Sequence, residues 1–114
     1  MSTTIAHIAV FVSGAGTTLQ ALLDRQQTSH YRVSLVVAKR ECGALERASR
    51  AGMPTLLSRD WEDINRHLQA ANVELIVLAG YLAIIPKEVC EQWAGRILNT
   101  HPSLLPKFGG KGMY

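Results

Sequence analysis

The chain has 114 residues, of which 47% are hydrophobic and 18% charged, so it fits one small globular domain rather than a disordered segment. Its net charge is +3, with the twelve Lys and Arg scattered rather than gathered in a run; no nucleic acid is expected as partner, and a small anionic substrate is compatible. The longest apolar runs are far too short to span a bilayer, and the segment after Met1 has no basic n-region or cleavage motif. Cys42 and Cys90 stand far apart without a CxxC pattern, so the sequence predicts a cytoplasmic protein with reduced thiols and no membrane association.

Short β-rich runs alternate with helical stretches along the chain. HIAVFVSG (7–14) reads as a buried strand ending at Gly14, and TTLQALLDRQQ (17–27) as a helix with Leu19, Leu22 and Leu23 on one face. YRVSLVVAK (31–39) is a second strand, GALERASRAG (43–52) a helix closed by Gly52, and MPTLLS a short third strand. Asp60 caps the next helix and Asn72 ends it. VELIVLAG (73–80) is the near-continuous apolar run of a parallel strand covered on both faces. Pro86 opens a helix through about Trp93, and RILNTH (96–101) is a fifth strand. This succession predicts a single Rossmann-like α/β unit with a mostly parallel sheet and helices on both faces.

SGAGTTLQ stands where the first strand gives way to a helix. Gly14 and Gly16 permit a tight turn and close approach, while Thr17 and Thr18 begin the helix. The free N–H groups and dipole of such a helix start suit a phosphate, although a plain strand-to-helix turn uses the same residues. Two nucleotide motifs do not fit. The third glycine of a dinucleotide fingerprint is replaced by Leu19, VVAKR has no acidic residue after the second strand, and a Walker lysine is absent. A simple phosphate, such as that of a phosphosugar, remains.

Asn99 and His101 close the fifth strand two residues apart, which predicts side chains on one side of the sheet, beyond the carboxyl ends where ligands collect. An Asn amide donates to oxygen charge developing on a tetrahedral intermediate, and a His moves a proton near neutral pH. With no Ser or Cys nucleophile elbow, direct transfer between two bound substrates suits the pair better than a covalent acyl-enzyme. His7, His30 and His67 read as ordinary structural histidines. No second His, Cys or carboxylate stands at ligand spacing to His101, so no metal is expected.

The stretches VSGAGTTLQALL, IVLAGYLAIIP and ILNTHPSLLPKFGGKGMY together resemble the phosphoribosylglycinamide formyltransferases of purine biosynthesis, in order and spacing over the whole chain. The NxHxSLLP motif alone is less specific, because methionyl-tRNA formyltransferases also carry it. The resemblance implies a Rossmann-like formyltransferase fold, with residues 1–114 as the N-terminal portion of a single domain reaching about the fifth strand. It implies transfer of a formyl group from the co-substrate 10-formyltetrahydrofolate to the amine of phosphoribosylglycinamide. On this sequence the substrate phosphate falls to Ala15, Gly16, Thr17 and Thr18, and the folate to Leu82, Ala83, Ile84, Ile85 and Asn99. Catalysis falls to Asn99 and His101.

The sequence departs from that family in particular places. Position 83 is Ala where many members carry a basic residue, and Arg59 is the sole candidate for a folate-contacting arginine in LSRDWEDIN. The family extends past Tyr114, and its further part supplies the Asp that partners the catalytic His; no Asp follows Asp63 here. The expectation is therefore that the 114-residue chain alone turns over poorly. The alternative reading is a catalytically incompetent phosphate-binding module, or an interaction fragment that self-associates through an uncovered sheet edge.

Overall fold

The apolar runs become strands and the amphipathic stretches become helices, in the order their periodicities require. The computed structural model describes residues 5–81 and 83–100; Leu82, His101 and the PSLLPKFGGKGMY segment lie outside the described residues. In chain order the elements are β1 (Ala6–Val12), α1 (Thr17–Arg25), β2 (Tyr31–Ala38), α2 (Gly43–Arg50) and β3 (Thr55–Leu57), then α3 (Trp61–Ala70), β4 (Leu75–Ala79), α4 (Lys87–Gln92) and β5 (Ile97–Asn99). A short 3₁₀ turn, Gln26–Thr28, follows α1.

The strands form one sheet in the order β3-β2-β1-β4-β5, and each neighbouring pair is parallel. Alternation along β1 sorts its side chains to two faces. Ile8, Val10 and Val12 meet Leu19 and Leu23 of α1 and Ala44 and Ala48 of α2. Ala9 and Phe11 meet Ile64 and Leu68 of α3 and Val89 and Trp93 of α4. Helices thus cover both faces, and for that reason β1 and β4 read as continuous apolar runs rather than alternating ones.

Several predicted ends hold and several move. The Asp60 side chain accepts from the Glu62 N–H at 3.0 Å, capping α3, and Gly52 and Asn72 close α2 and α3 with φ of +77° and +56°. β1 stops at Val12, leaving Ser13 and Gly14 to the turn, and α1 stops at Arg25. The Gln26 side chain there turns inward, where its Oε1 accepts from the Val33 N–H at 2.8 Å. β5 ends at Asn99, with Thr100 already in a bend. Alternation along the strand therefore orients Asn99, while His101 lies outside the described residues.

The order of strands also locates a crevice. β1 has β2 on one side and β4 on the other, so the crossover from β1 to β2 and that from β4 to β5 run in opposite directions across the sheet. The loops beyond β1 and β4 diverge there, at the topological switch point of the sheet.

Candidate functional site

Three strand exits meet at the carboxyl edge around β4. The glycine turn leaves β1, the Gly80–Ile85 segment leaves β4, and Asn99 ends β5 opposite Leu78. With β4 between them, the β1 and β5 exits stand roughly 10 Å apart, two strand spacings. The exits of β1 and β4 are joined directly. Val12 and Gly80 form an antiparallel bridge, and the Ser13 hydroxyl donates to the Gly80 carbonyl.

The glycine turn is shaped by α2. Gly14 and Gly16 have φ of +73° and +84°, and a β-carbon on Gly16 would lie 2.6 Å from Ala44 Cα. Only glycine meets both demands at position 16. The Ala44 N–H donates to the Gly14 carbonyl at 3.0 Å, and the Arg47 Nε–H donates to the Ala15 carbonyl at 2.7 Å.

Gly16 is the N-cap of α1, with no side-chain cap and no acidic residue in the first turn. Its leading N–H groups therefore have no intrahelical acceptor and no neighbouring carboxylate. By contrast, α2, α3 and α4 each carry a Glu or Asp in the first turn. Gly14 and Ala15 are exposed, Gly16 and Thr18 half-buried, and Thr17 exposed. An anion can reach this turn from solvent.

Beyond β4, the Tyr81 ring stands edge-on to Phe11 with centroids 5.2 Å apart, and Phe11 stacks on Trp61 at 5.4 Å. Burial raises the Tyr81 phenol above its ordinary pKa, which favours the neutral hydroxyl. Ala83 is half-buried, Ile85 packs against the core, and Ile84 is 91% exposed, an apolar side chain offered to solvent at this edge. Leu82 and His101 lie outside the described residues. On β5, Asn99 is half-buried, and the Thr100 N–H and hydroxyl both donate to the Leu78 carbonyl at 3.1 Å. The chain is thus drawn toward β4 immediately after Asn99.

Arg59 sits elsewhere. Its Nε–H donates to the Lys39 carbonyl at 3.5 Å, beside the exits of β2 and β3. The whole sheet separates it from Asn99, about 19 Å at ordinary strand spacing. A shallow depression of about 470 Å³ between α2 and β3, lined by Glu41, Leu45 and Arg50 among others, lies on the flank of the sheet away from β4 and β5. No group of three or more His, Cys, Asp or Glu is placed to hold a metal ion among the described residues.

Sequence reasoning alone missed Arg47, the Ser13–Gly80 tie and the Phe11–Tyr81 contact. The Arg47 bond joins residues 32 positions apart and the Ser13 bond residues 67 apart. Local pattern carries no trace of either. Gly80 after an apolar run was a visible punctuation mark, but its partner was not.

Comparison with known proteins agrees with this fold. The chain is 41% identical over 118 aligned residues to the trifunctional purine biosynthetic protein adenosine-3 of Drosophila pseudoobscura pseudoobscura, covering 91% of this chain and 9% of that protein. It is 37% identical to the phosphoribosylglycinamide formyltransferase of Haemophilus influenzae, covering 94% of this chain and 56% of the relative. The crystal structure of phosphoribosylglycinamide formyltransferase from Anaplasma phagocytophilum superposes with a TM-score of 0.82 at 36% identity, covering 90% of this chain and 53% of that one. The chain thus spans little more than half the length of these two formyltransferases. The formyl transferase family model matches residues 6–114, and the chain belongs to that family.

Proposed function

We propose that this chain supplies the phosphate turn and the Asn–His pair of a phosphoribosylglycinamide formyltransferase, which moves a formyl group from 10-formyltetrahydrofolate to the glycinamide amine. The observation that carries this reading is the strand order. It gathers the glycine turn after β1, the apolar segment after β4 and Asn99 after β5 at one sheet edge. Relatives named for this activity, matched over nearly the whole chain, support the same reading.

In this reading the substrate phosphate lies against the N–H groups of Ala15, Gly16, Thr17 and Thr18, where the uncapped, acid-free start of α1 favours an anion. Leu82, Ala83, Ile84 and Ile85 border the folate, and the exposed Ile84 offers it an apolar contact. The amine attacks the formyl carbon directly. Asn99 donates to the oxygen as charge builds on it, and His101 donates alongside and passes a proton from the entering amine toward the departing nitrogen. The protein binds and orients two small molecules, so proximity supplies much of the rate.

The test is formyl transfer from 10-formyltetrahydrofolate to phosphoribosylglycinamide by protein carrying this chain. Asn99→Ala and His101→Ala should each lower kcat by about 10²–10³-fold. The KM for phosphoribosylglycinamide should stay within about threefold, because neither residue touches the phosphate. A His101→Ala protein with an unreduced kcat overturns the assignment.

A further inference from the structure

Arg47 is the residue of this edge whose bonding the phosphate turn does not by itself explain. It lies on α2 and is half-buried. Its Nε–H donates to the Ala15 carbonyl at 2.7 Å and its Nη1 to the Gln20 Oε1 at 3.3 Å. The Gln20 amide is turned in that direction by donating its own N–H to Asp24 at 2.9 Å. On the same helix Arg50 instead pairs with Glu46. Among the described residues Arg47 has no acidic partner within salt-bridge distance. Its positive charge beside the glycine turn is met only by a carbonyl and a neutral amide.

The consequence follows from peptide geometry. A trans peptide holds its C=O and the following N–H in opposite directions, and no cis peptide occurs among the described residues. The Gly14 carbonyl is held on the α2 side by the Ala44 N–H, so the Ala15 N–H points away from α2. The Ala15 carbonyl is held on the same side by Arg47, so the Gly16 N–H points away from it too. The two successive donors share a direction. The sign of φ alternates through Gly14, Ala15 and Gly16, the pattern of a backbone nest that receives an anion.

We infer that Arg47 is a positioning residue of the substrate-phosphate site: by clamping the Ala15 carbonyl from α2 it holds the Ala15 and Gly16 N–H groups aimed at the phosphate, and its unpaired charge adds to the field there. This role rests on the phosphate-turn reading above. Arg47 does not touch the reacting atoms. It sets the direction of the amides that do the binding, and the planar guanidinium allows it to hold Ala15 and Gln20 at once. Lysine would keep the charge but not the fork.

The experiment uses the chain labelled with ¹⁵N and titrated with ribose 5-phosphate, with ribose as the phosphate-free control. Arg47→Ala and Arg47→Lys should each weaken ribose 5-phosphate binding roughly tenfold, the loss of one hydrogen bond in a charged setting. Arg50→Ala removes the same charge from the same helix without touching the turn, and should stay within about twofold. In the ligand-free chain the Ala15 and Gly16 amide resonances should shift and exchange faster in both Arg47 variants, with the core resonances unmoved. Arg47→Lys that binds like the wild type, or Arg47 variants whose Ala15 and Gly16 amides do not move, overturns the positioning role even if phosphate binds. A folded wild-type chain that binds ribose 5-phosphate no better than ribose overturns the phosphate reading itself, and with it the role in binding.

Discussion

Gly16 and Ala44 meet backbone to backbone: a β-carbon on Gly16 would lie 2.6 Å from Ala44 Cα and 2.7 Å from its β-carbon. The turn that starts α1 and the first turn of α2 are therefore in direct contact, with no side chain able to stand between them.

The first prediction follows from that contact. Gly16→Ala must adopt a φ of +84° and also displace α2, costing about 2–5 kcal/mol from the combined strain and overpacking. In a chain of this size such a loss is a large part of the total stability. Urea unfolding followed by circular dichroism measures it. Gly14→Ala, where a β-carbon has open space but φ is +73°, should cost only the strain, about 1–2 kcal/mol. Equal costs at the two positions would contradict the packing argument.

Phe11 joins the sheet core to the segment beyond β4. It has no accessible surface, and it stacks on Trp61 while meeting the Tyr81 ring edge-on. Phe11→Ala should cost about 3–5 kcal/mol, and Phe11→Leu markedly less because most of the volume is kept. Trp61 fluorescence should report the change in packing as well. A Phe11→Ala chain as stable as the wild type would remove this residue from the core.

Gln26 is a buried polar residue whose Oε1 accepts from the Val33 N–H at 2.8 Å. Gln26→Leu fits the apolar surroundings but leaves that backbone donor without an acceptor, and should destabilise the chain by about 1–3 kcal/mol. Amide exchange supplies the decisive reading: the Val33 N–H should lose protection by more than its neighbours in β2. A variant with unchanged Val33 protection would show that the side-chain acceptor is dispensable.

Alkaline pH should unfold the chain earlier than its net charge implies. Burial raises the pKa of Tyr81; burial also raises that of Tyr31, whose hydroxyl donates to the Leu22 carbonyl, with Arg25 partly opposing. Burial and then Glu91 raise the Cys90 thiol. Each group prefers its neutral form in the fold, so the unfolded chain loses these protons first as pH climbs. The stabilising difference is whole below the ordinary values and is lost as pH rises through the raised ones. The urea midpoint should hold steady near neutral pH and fall above about pH 9–10. Tyr81→Phe should remove part of that fall; an identical pH profile in that variant would sink the argument.

Much of the fold is legible in the sequence because the forces that choose it act over a few residues. Apolar alternation and continuous runs mark β1, β2 and β4. Asp60 caps α3 through its own neighbour Glu62, and Gly52 and Asn72 take the positive φ that ends their helices. The ends that moved have longer-range causes. α1 gives way to a 3₁₀ turn at Gln26, whose side chain reaches across to Val33, and β5 stops at Asn99, after which Thr100 binds Leu78 of β4.

The candidate site divides in the same way. Asn99, the glycine pair and the helix start at Thr17 are visible as residue types at strand ends, because glycine and polar side chains stand out against the apolar runs that precede them. By itself the sequence determined the alternation of elements and the residue types held at their ends. Only the tertiary structure decided that β4 stands between β1 and β5, that Arg59 lies across the sheet from Asn99, and that Arg47 grips Ala15. Those relations depend on where each crossover returns its chain to the sheet, which is settled by the burial of two whole faces at once and by no single segment.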